Sequence, residues 1–212
     1  MYSKYRNKLS FVALIIALFV LNSCGGGGDG PGMPGSSDTG DIGAYILVTG
    51  ASHSSVAGDQ GDVWNIDLTM DICDPGPPPT YEEWGDDFAN LNIDTVSINA
   101  LFPSSDLFLQ RYVVEYTPQV FDLNLPPITK YDLTSLYVLP ADGTASGLPF
   151  IIFDSGDKYS YAEDLANGLY VPTVNSPYLY DMKITFYGKD LYGTEFSFVF
   201  HRTVMVGYYY NC

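Results

Sequence analysis

Three kinds of residue in this chain of 212 could do chemistry: its few histidines and cysteines, its many carboxylates and its tyrosines. His53 lies in a stretch rich in Ser, Gly and Asp (50–61) that reads as a loop, and His201 falls on a predicted strand. There is no His-x-x-x-His pair and no Cys-x-x-Cys, so a catalytic zinc centre would need ligands scattered along the chain. His201 reads more simply as a cross-strand neighbour on a polar face. Ser54 and Ser55 follow His53, but the Gly-x-Ser-x-Gly turn that exposes a hydrolase nucleophile is absent.

Asp154, Asp157, Glu163 and Asp164, and the pair Asp59 and Asp62, are loop carboxylates of the kind hard cations favour. They are candidate ligands for a structural Ca2+, although none fits the EF-hand pattern, and such groups more often serve as solvated turn residues. Two carboxylates meeting in space could also hydrolyse a glycoside, a separation that sequence does not display. The 18 tyrosines are the remaining hint. Tyr178, Tyr180, Tyr208, Tyr209 and Tyr210 could form a stacking platform for sugar rings, whereas alternating tyrosines in strands more often pack the core and its rim.

These candidates need elements to hold them. Hydrophobic residues make up 46% of the chain, enough for a core, and only 16% of residues are charged. That balance, with aromatics at 15%, favours strands over helices. Formal net charge is −16. Lys4, Arg6 and Lys8 stand ahead of every acidic residue; without them six basic residues face 25 acidic ones, a net of −19. Such a surface repels phosphate backbones, which argues against nucleic-acid binding. It offers no basic patch to anionic lipid either, so any attachment to a membrane must come from elsewhere.

The N-terminus supplies one. Residues 1–8 (MYSKYRNK) are basic, residues 9–21 (LSFVALIIALFVL) are apolar and short for a membrane span, and Leu21-Asn22-Ser23-Cys24 closes them. The arrangement resembles a bacterial lipobox, in which residues 1–23 are a signal peptide and Cys24 becomes the lipidated N-terminus. The resemblance implies three acyl chains, such as palmitate, on Cys24. Each buried methylene contributes about 0.8 kcal/mol, so attachment would be effectively permanent. Gly25 stands where an Asp would signal inner-membrane retention in enteric bacteria, which leans the expectation toward the outer membrane of the cell envelope. Residues 25–43, dominated by Gly, Ser, Asp and Pro, read as a flexible tether spanning on the order of 25 Å. With Cys24 lipidated, Cys73 and Cys212 remain. In an exported protein they read as one disulfide, closing a loop of about 140 residues with just under about 5 kcal/mol of stabilisation in the chain-entropy account. Two free thiols or an intermolecular bond are the alternatives.

Residues 44–212 read as one all-β domain. Predicted strands cover 45–49, 62–73, 95–102, 107–117, 131–139, 148–153, 180–187 and 194–206. The run at 62–73 alternates most cleanly: Trp64, Ile66, Leu68, Met70 and Ile72 share one face, and Asn65, Asp67, Thr69 and Asp71 form a wet one. In 95–102 the apolar face is Val96, Ile98, Ala100 and Phe102; in 107–117 it is Phe108, Tyr112, Val114 and Tyr116. The apolar 148–153 reads as a central strand. Two capping boxes, Thr80-Tyr81-Glu82-Glu83 and Ser160-Tyr161-Ala162-Glu163, predict short helices, the second ending at Asn167-Gly168. About eight strands with two short helical insertions suggest an antiparallel sandwich.

Two motifs carry a resemblance to immunoglobulin-like domains. Residues 111–118 (RYVVEYTP) resemble the YxVxYxP strand of fibronectin type III modules. Residues 186–195 (FYGKDLYGTE) resemble the G-x-D-x-x-G-N hairpin of bacterial immunoglobulin-like domains, with Thr194 where Asn is usual. The resemblance implies an antiparallel immunoglobulin-like β-sandwich with a non-catalytic binding, adhesion or structural role. Protein and glycan partners both stay open, a carbohydrate-binding module and a two-carboxylate glycoside hydrolase being the alternatives.

Overall fold

The computed structural model describes residues 37–38, 42–54, 63–68, 72–74, 80–81, 85–98, 105–120, 124–173 and 175–208. Among the described residues, eleven strands and one helix run in the order β1 (Ser37–Asp38), β2 (Ala44–Ser54), β3 (Val63–Asp67), β4 (Ile72–Asp74), β5 (Thr80–Tyr81), β6 (Asp87–Ser97), β7 (Leu107–Pro118), β8 (Tyr131–Leu139), β9 (Thr144–Phe153), α1 (Ser155–Ala166), β10 (Tyr178–Asp190) and β11 (Glu195–Gly207). The protein is all-β. One sheet runs β1-β11-β10-β7-β8, with β3 on the β11 edge beside β1; a second runs β2-β6-β9; β4 and β5 pair separately. Among the described residues no helix is long and apolar enough to cross a membrane.

The two larger sheets share one core. Phe186 of β10 stacks on Phe198 of β11 at 4.6 Å, and Phe150 of β9 meets Phe186 edge-on at 4.8 Å from the other sheet. Burying each such ring contributes about 1.5–3 kcal/mol. Phe196, Phe198 and Phe200 all face this core, as their alternation predicts.

Several boundaries and faces differ from the sequence expectation, each for a local reason. β2 runs on past 49 to Ser54, through a register shift between Val48 and Gly50. His53 is therefore a strand residue, not a loop residue. β6 begins at Asp87, well before 95, and its buried positions are Ala89, Leu91, Ile93 and Thr95. Val96 and Ile98 point outward instead, 46% and 47% exposed. β7 contains a bulge: its pairing with β8 shifts between Leu109 and Arg111. An extra residue reverses the alternation. Leu107 and Leu109 thus share the interior with Tyr112 and Val114, and Phe108 does not.

β3 is shorter than the 62–73 run, and its second face is not wet. Asn65 and Asp67 are buried along with Trp64, Ile66 and Leu68. β3 pairs parallel to β11, the one parallel ladder of the two sheets among the described residues, and parallel strands are typically covered on both faces. The six-stranded sheet is therefore not purely antiparallel. β9 is longer than 148–153 and lies at a sheet edge rather than in the centre. Thr80 and Tyr81 form β5, paired with β4, instead of opening a helix. The second predicted helix exists but starts earlier, on Asp154 rather than Ser160; it ends as expected, with Asn167 as cap and Gly168 at φ +68°.

The β10–β11 hairpin gives the G-x-D-x-x-G motif a physical content. At Gly188 a Cβ would run into the carbonyl oxygen of Phe108 and the ring of Phe196, where the pairing with β7 also shifts register. The Asp190 carboxylate accepts from the backbone N–H groups of Tyr192 and Thr194, both at 2.8 Å. Gly193 takes φ +89°, a left-handed conformation that favours glycine.

Candidate functional site

Where the inner phase of β6 reaches its first residue, a carboxylate stands in place of an apolar side chain. Asp87 continues the buried row of Ala89, Leu91 and Ile93. On α1 the buried positions are Lys158, Tyr161 and Ala162, spaced i, i+3, i+4, so a lysine occupies a core position of the helix. The two meet: Lys158 Nζ lies 2.9 Å from Asp87 Oδ2, with side chains 6% and 3% exposed. His53, on β2 one strand away, places Nε2 3.4 Å from the other carboxylate oxygen, and its side chain is wholly buried. The His53 ring stacks on Trp64 at 5.3 Å, and Arg202 lies over the other ring system of this stack, 5.1 Å from the Trp64 centroid. This is a closed histidine–aspartate–lysine grouping in the interior, at the junction of β2, β6 and α1.

The helix that supplies Lys158 is held by acids. Asp154 caps it, accepting from the N–H of Asp157 at 2.8 Å, and Asp86 accepts from the N–H of Ser155 at 2.9 Å. Two of the otherwise unpaired donors of the first turn are thereby satisfied. Asp157 in that turn also complements the helix dipole. These roles bear on the calcium candidates. Asp154 and Asp157 serve the helix start, while Glu163 and Asp164 lie about 9–15 Å farther along its axis, too far to join them around one cation. Among the described residues no group of three His, Cys, Asp or Glu is placed to hold a metal ion. Asp59 and Asp62 lie outside the described residues.

The tyrosines have a second site. β9 borders the six-stranded sheet along its free edge; three hydroxyls from that sheet reach its backbone and a fourth reaches Asp154, just past its end. Tyr137 donates to the carbonyl of Pro149 at 2.8 Å, and Tyr116 to that of Ile152 at 2.6 Å. Tyr112 accepts from the N–H of Ile151 at 3.0 Å, and Tyr131 from that of Asp154 at 3.3 Å. Side-chain hydroxyls thus take the place of a strand partner and block an edge that would otherwise template pairing with another chain. Burial pushes the Tyr112 hydroxyl up to about 12, and raises Tyr116 and Tyr131 too. The YxVxYxP resemblance supplies two of the four, Tyr112 and Tyr116.

Of the five tyrosines expected to form a platform, Tyr178 and Tyr180 are core residues, 6% and 2% exposed. Tyr180 instead meets the hydroxyl of Tyr161 on α1 at 2.7 Å. Tyr208 is exposed; Tyr209 and Tyr210 lie outside the described residues. His201 sits opposite Lys183 on the outer face, as expected, and the Ser54 hydroxyl donates to the carbonyl of Phe88. Cys73 lies on β4, but its side chain, Cys212 and the whole stretch containing Cys24 fall outside the described residues.

No family model, no curated protein and no solved structure matches this chain. The chemistry is therefore read from its own residues. The histidine–aspartate–lysine grouping was missed in the sequence, although two signals pointed to it: a lysine on the apolar stripe of a helix and an aspartate in the apolar phase of a strand.

Proposed function

We propose that this chain is a lipid-anchored, extracytoplasmic β-sandwich protein of immunoglobulin-like type with a non-catalytic binding, adhesion or structural role. The observation that carries the reading is the order of parts: basic and apolar leader, Leu21-Asn22-Ser23-Cys24, glycine-rich tether, then an all-β domain. The strand 111–118 and the hairpin 186–195 support the immunoglobulin-like reading, because both occupy positions where their motif residues have structural work: interior tyrosines in β7 and a close-packed turn between β10 and β11. The net of −19 beyond the leader supports attachment through lipid rather than through a basic surface.

The test is substitution of Cys24 by Ala with metabolic labelling by a palmitate analogue. Label on the wild-type chain in the outer-membrane fraction, and an unlabelled, mislocalised but folded variant, is the expected outcome. An unlabelled wild-type chain sinks the anchor. A glycan array then separates partner classes: binding abolished by Tyr208→Ala would favour a carbohydrate-binding role over a protein-binding or structural one. Turnover on a panel of glycosides would overturn the non-catalytic reading.

A further inference from the structure

We propose that Lys158 and Asp87 condense with each other, so that the mature domain carries an intramolecular amide bond between helix α1 and strand β6. This does not depend on how the chain is anchored. Three observations carry it. First, amine and carboxylate are in contact at 2.9 Å, with side chains only 6% and 3% exposed. Second, the contact lies off the hydrogen-bonding direction: Asp87 Oδ2 has no directed hydrogen bond despite the nearby Nζ. Third, His53 Nε2 stands 3.4 Å from Oδ1, the oxygen not facing the lysine.

The environment favours reaction. The step begins with a proton passed from Lys158 to Asp87 across their contact. What remains is a neutral amine against a neutral carboxylic acid, the pair that amide formation requires. Phe153 pairs with Asp87 across the β6–β9 ladder and is fully buried, and Trp64 stacks on His53, so apolar rings cover the pair on these sides. The fold holds the two groups together, replacing a bimolecular encounter by an intramolecular one.

The step balances without a co-reactant. Lys158 Nζ attacks Asp87 Cγ, forming the N–C bond. The oxygen facing His53 leaves as water, taking one proton from the imidazole, which recovers one from the attacking nitrogen, and the other from the carboxylic acid's own hydroxyl, whose oxygen stays as the amide carbonyl. One amide bond forms, one C–O bond breaks and one water is released; nothing is oxidised or reduced. His53 is here a catalytic residue of a single-turnover reaction, and the product is a neutral crosslink between elements 71 positions apart in sequence.

The experiment is mass spectrometry of the full chain, purified in detergent, reduced, denatured and digested with trypsin. The amide removes the charge of Lys158, so trypsin does not cut after it. The expected result is a branched peptide joining the Asp87 and Lys158 segments, lighter by one water than their sum. Lys158→Arg keeps the positive charge without the nucleophile and restores cleavage at that position with full mass. Asp87→Asn should still crosslink, releasing ammonia in place of water. His53→Phe should slow formation at least tenfold in a time course after refolding, with the fold monitored by circular dichroism. A folded wild-type chain that is cut normally after Lys158, with both segments at full mass, overturns the proposal. A crosslink formed equally fast in His53→Phe overturns the role of His53.

Discussion

The same pair of functional groups meets in two regions of this molecule under opposite conditions. On the outer face of the six-stranded sheet, Arg111 forks onto Asp132 at 2.5 and 2.7 Å, and Lys130 reaches Glu115 at 2.6 Å. All four of these side chains are more than a third exposed. Beneath α1, Lys158 meets Asp87 at a similar distance but out of water. Distance therefore does not rank them. The exposed pairs exchange one well-solvated state for another and contribute little. The buried pair meets without hydration before it condenses, so a variant that lacks either member strands the other charge. The outer face tunes solubility; the inner grouping commits α1 to the sheet.

The largest expected effect tests that contrast directly. Asp87→Ala leaves Lys158 uncompensated and should lower stability by about 3–5 kcal/mol in urea denaturation. The double change Asp87→Leu with Lys158→Met should recover the part of that loss that comes from the stranded charge, because an apolar pair of similar volume needs no partner, but not the part that comes from the lost crosslink. A single substitution as mild as one on the outer face would break the comparison. Gly188→Ala comes next: the new methyl meets a backbone oxygen that cannot move aside, and a loss of about 1–3 kcal/mol is expected.

Tyr116→Phe follows, because it leaves the buried carbonyl of Ile152 without its donor, for a loss of about 1–3 kcal/mol. The same tyrosines set an alkaline limit. Burial raises Tyr112 from 10.0 to about 12, so the fold favours the protonated hydroxyl. Its contribution is fully present below pH 10 and falls as pH rises through the window from 10 to about 12. Thermal melts across that window should show a steady decline in Tm that Tyr112→Phe blunts.

The smallest effect belongs to the outer face. Lys130→Ala should change stability by less than about 0.5 kcal/mol, and added salt should erase the difference. Lys130 holds the Glu115 carboxyl below its ordinary value, and Arg111 does the same for Asp132. Each contributes above the ordinary carboxylate range and is lost as pH falls through the depressed value, a shallow acid dependence that salt should flatten.

What could be read in advance was what repeats locally. Residues 131–139 and the hairpin 180–206 announce themselves because alternation, turn residues and end signals agree over a continuous stretch, and the observed strands follow them closely. The end of α1 at Asn167-Gly168 is legible for the same reason. The run Ala89-Asn90-Leu91-Asn92-Ile93-Asp94 alternates as cleanly and carries β6, yet the acidic pair before it reads as a break. The bulge in β7 was not legible, since one unpaired residue reverses the phase without any change in composition.

The site divides the same way. Cys24 and its surroundings are a linear signal, and sequence alone supplies the expectation of an anchor. The tyrosine excess was visible as composition, but its use was not. Tyr112 and Tyr116 acquire partners only when β9 is laid along the edge of the other sheet, and no periodicity encodes that neighbour. The grouping of His53, Asp87 and Lys158 joins three elements distant in sequence, and its chemistry depends on the exclusion of water. Local pattern determined where most of the strands lie and, in β11, which face is apolar; only the tertiary packing decided the faces of β3, β6 and β7 and which polar groups are trapped inside and against whom, because burial is a property of the assembled sheets and not of any one of them.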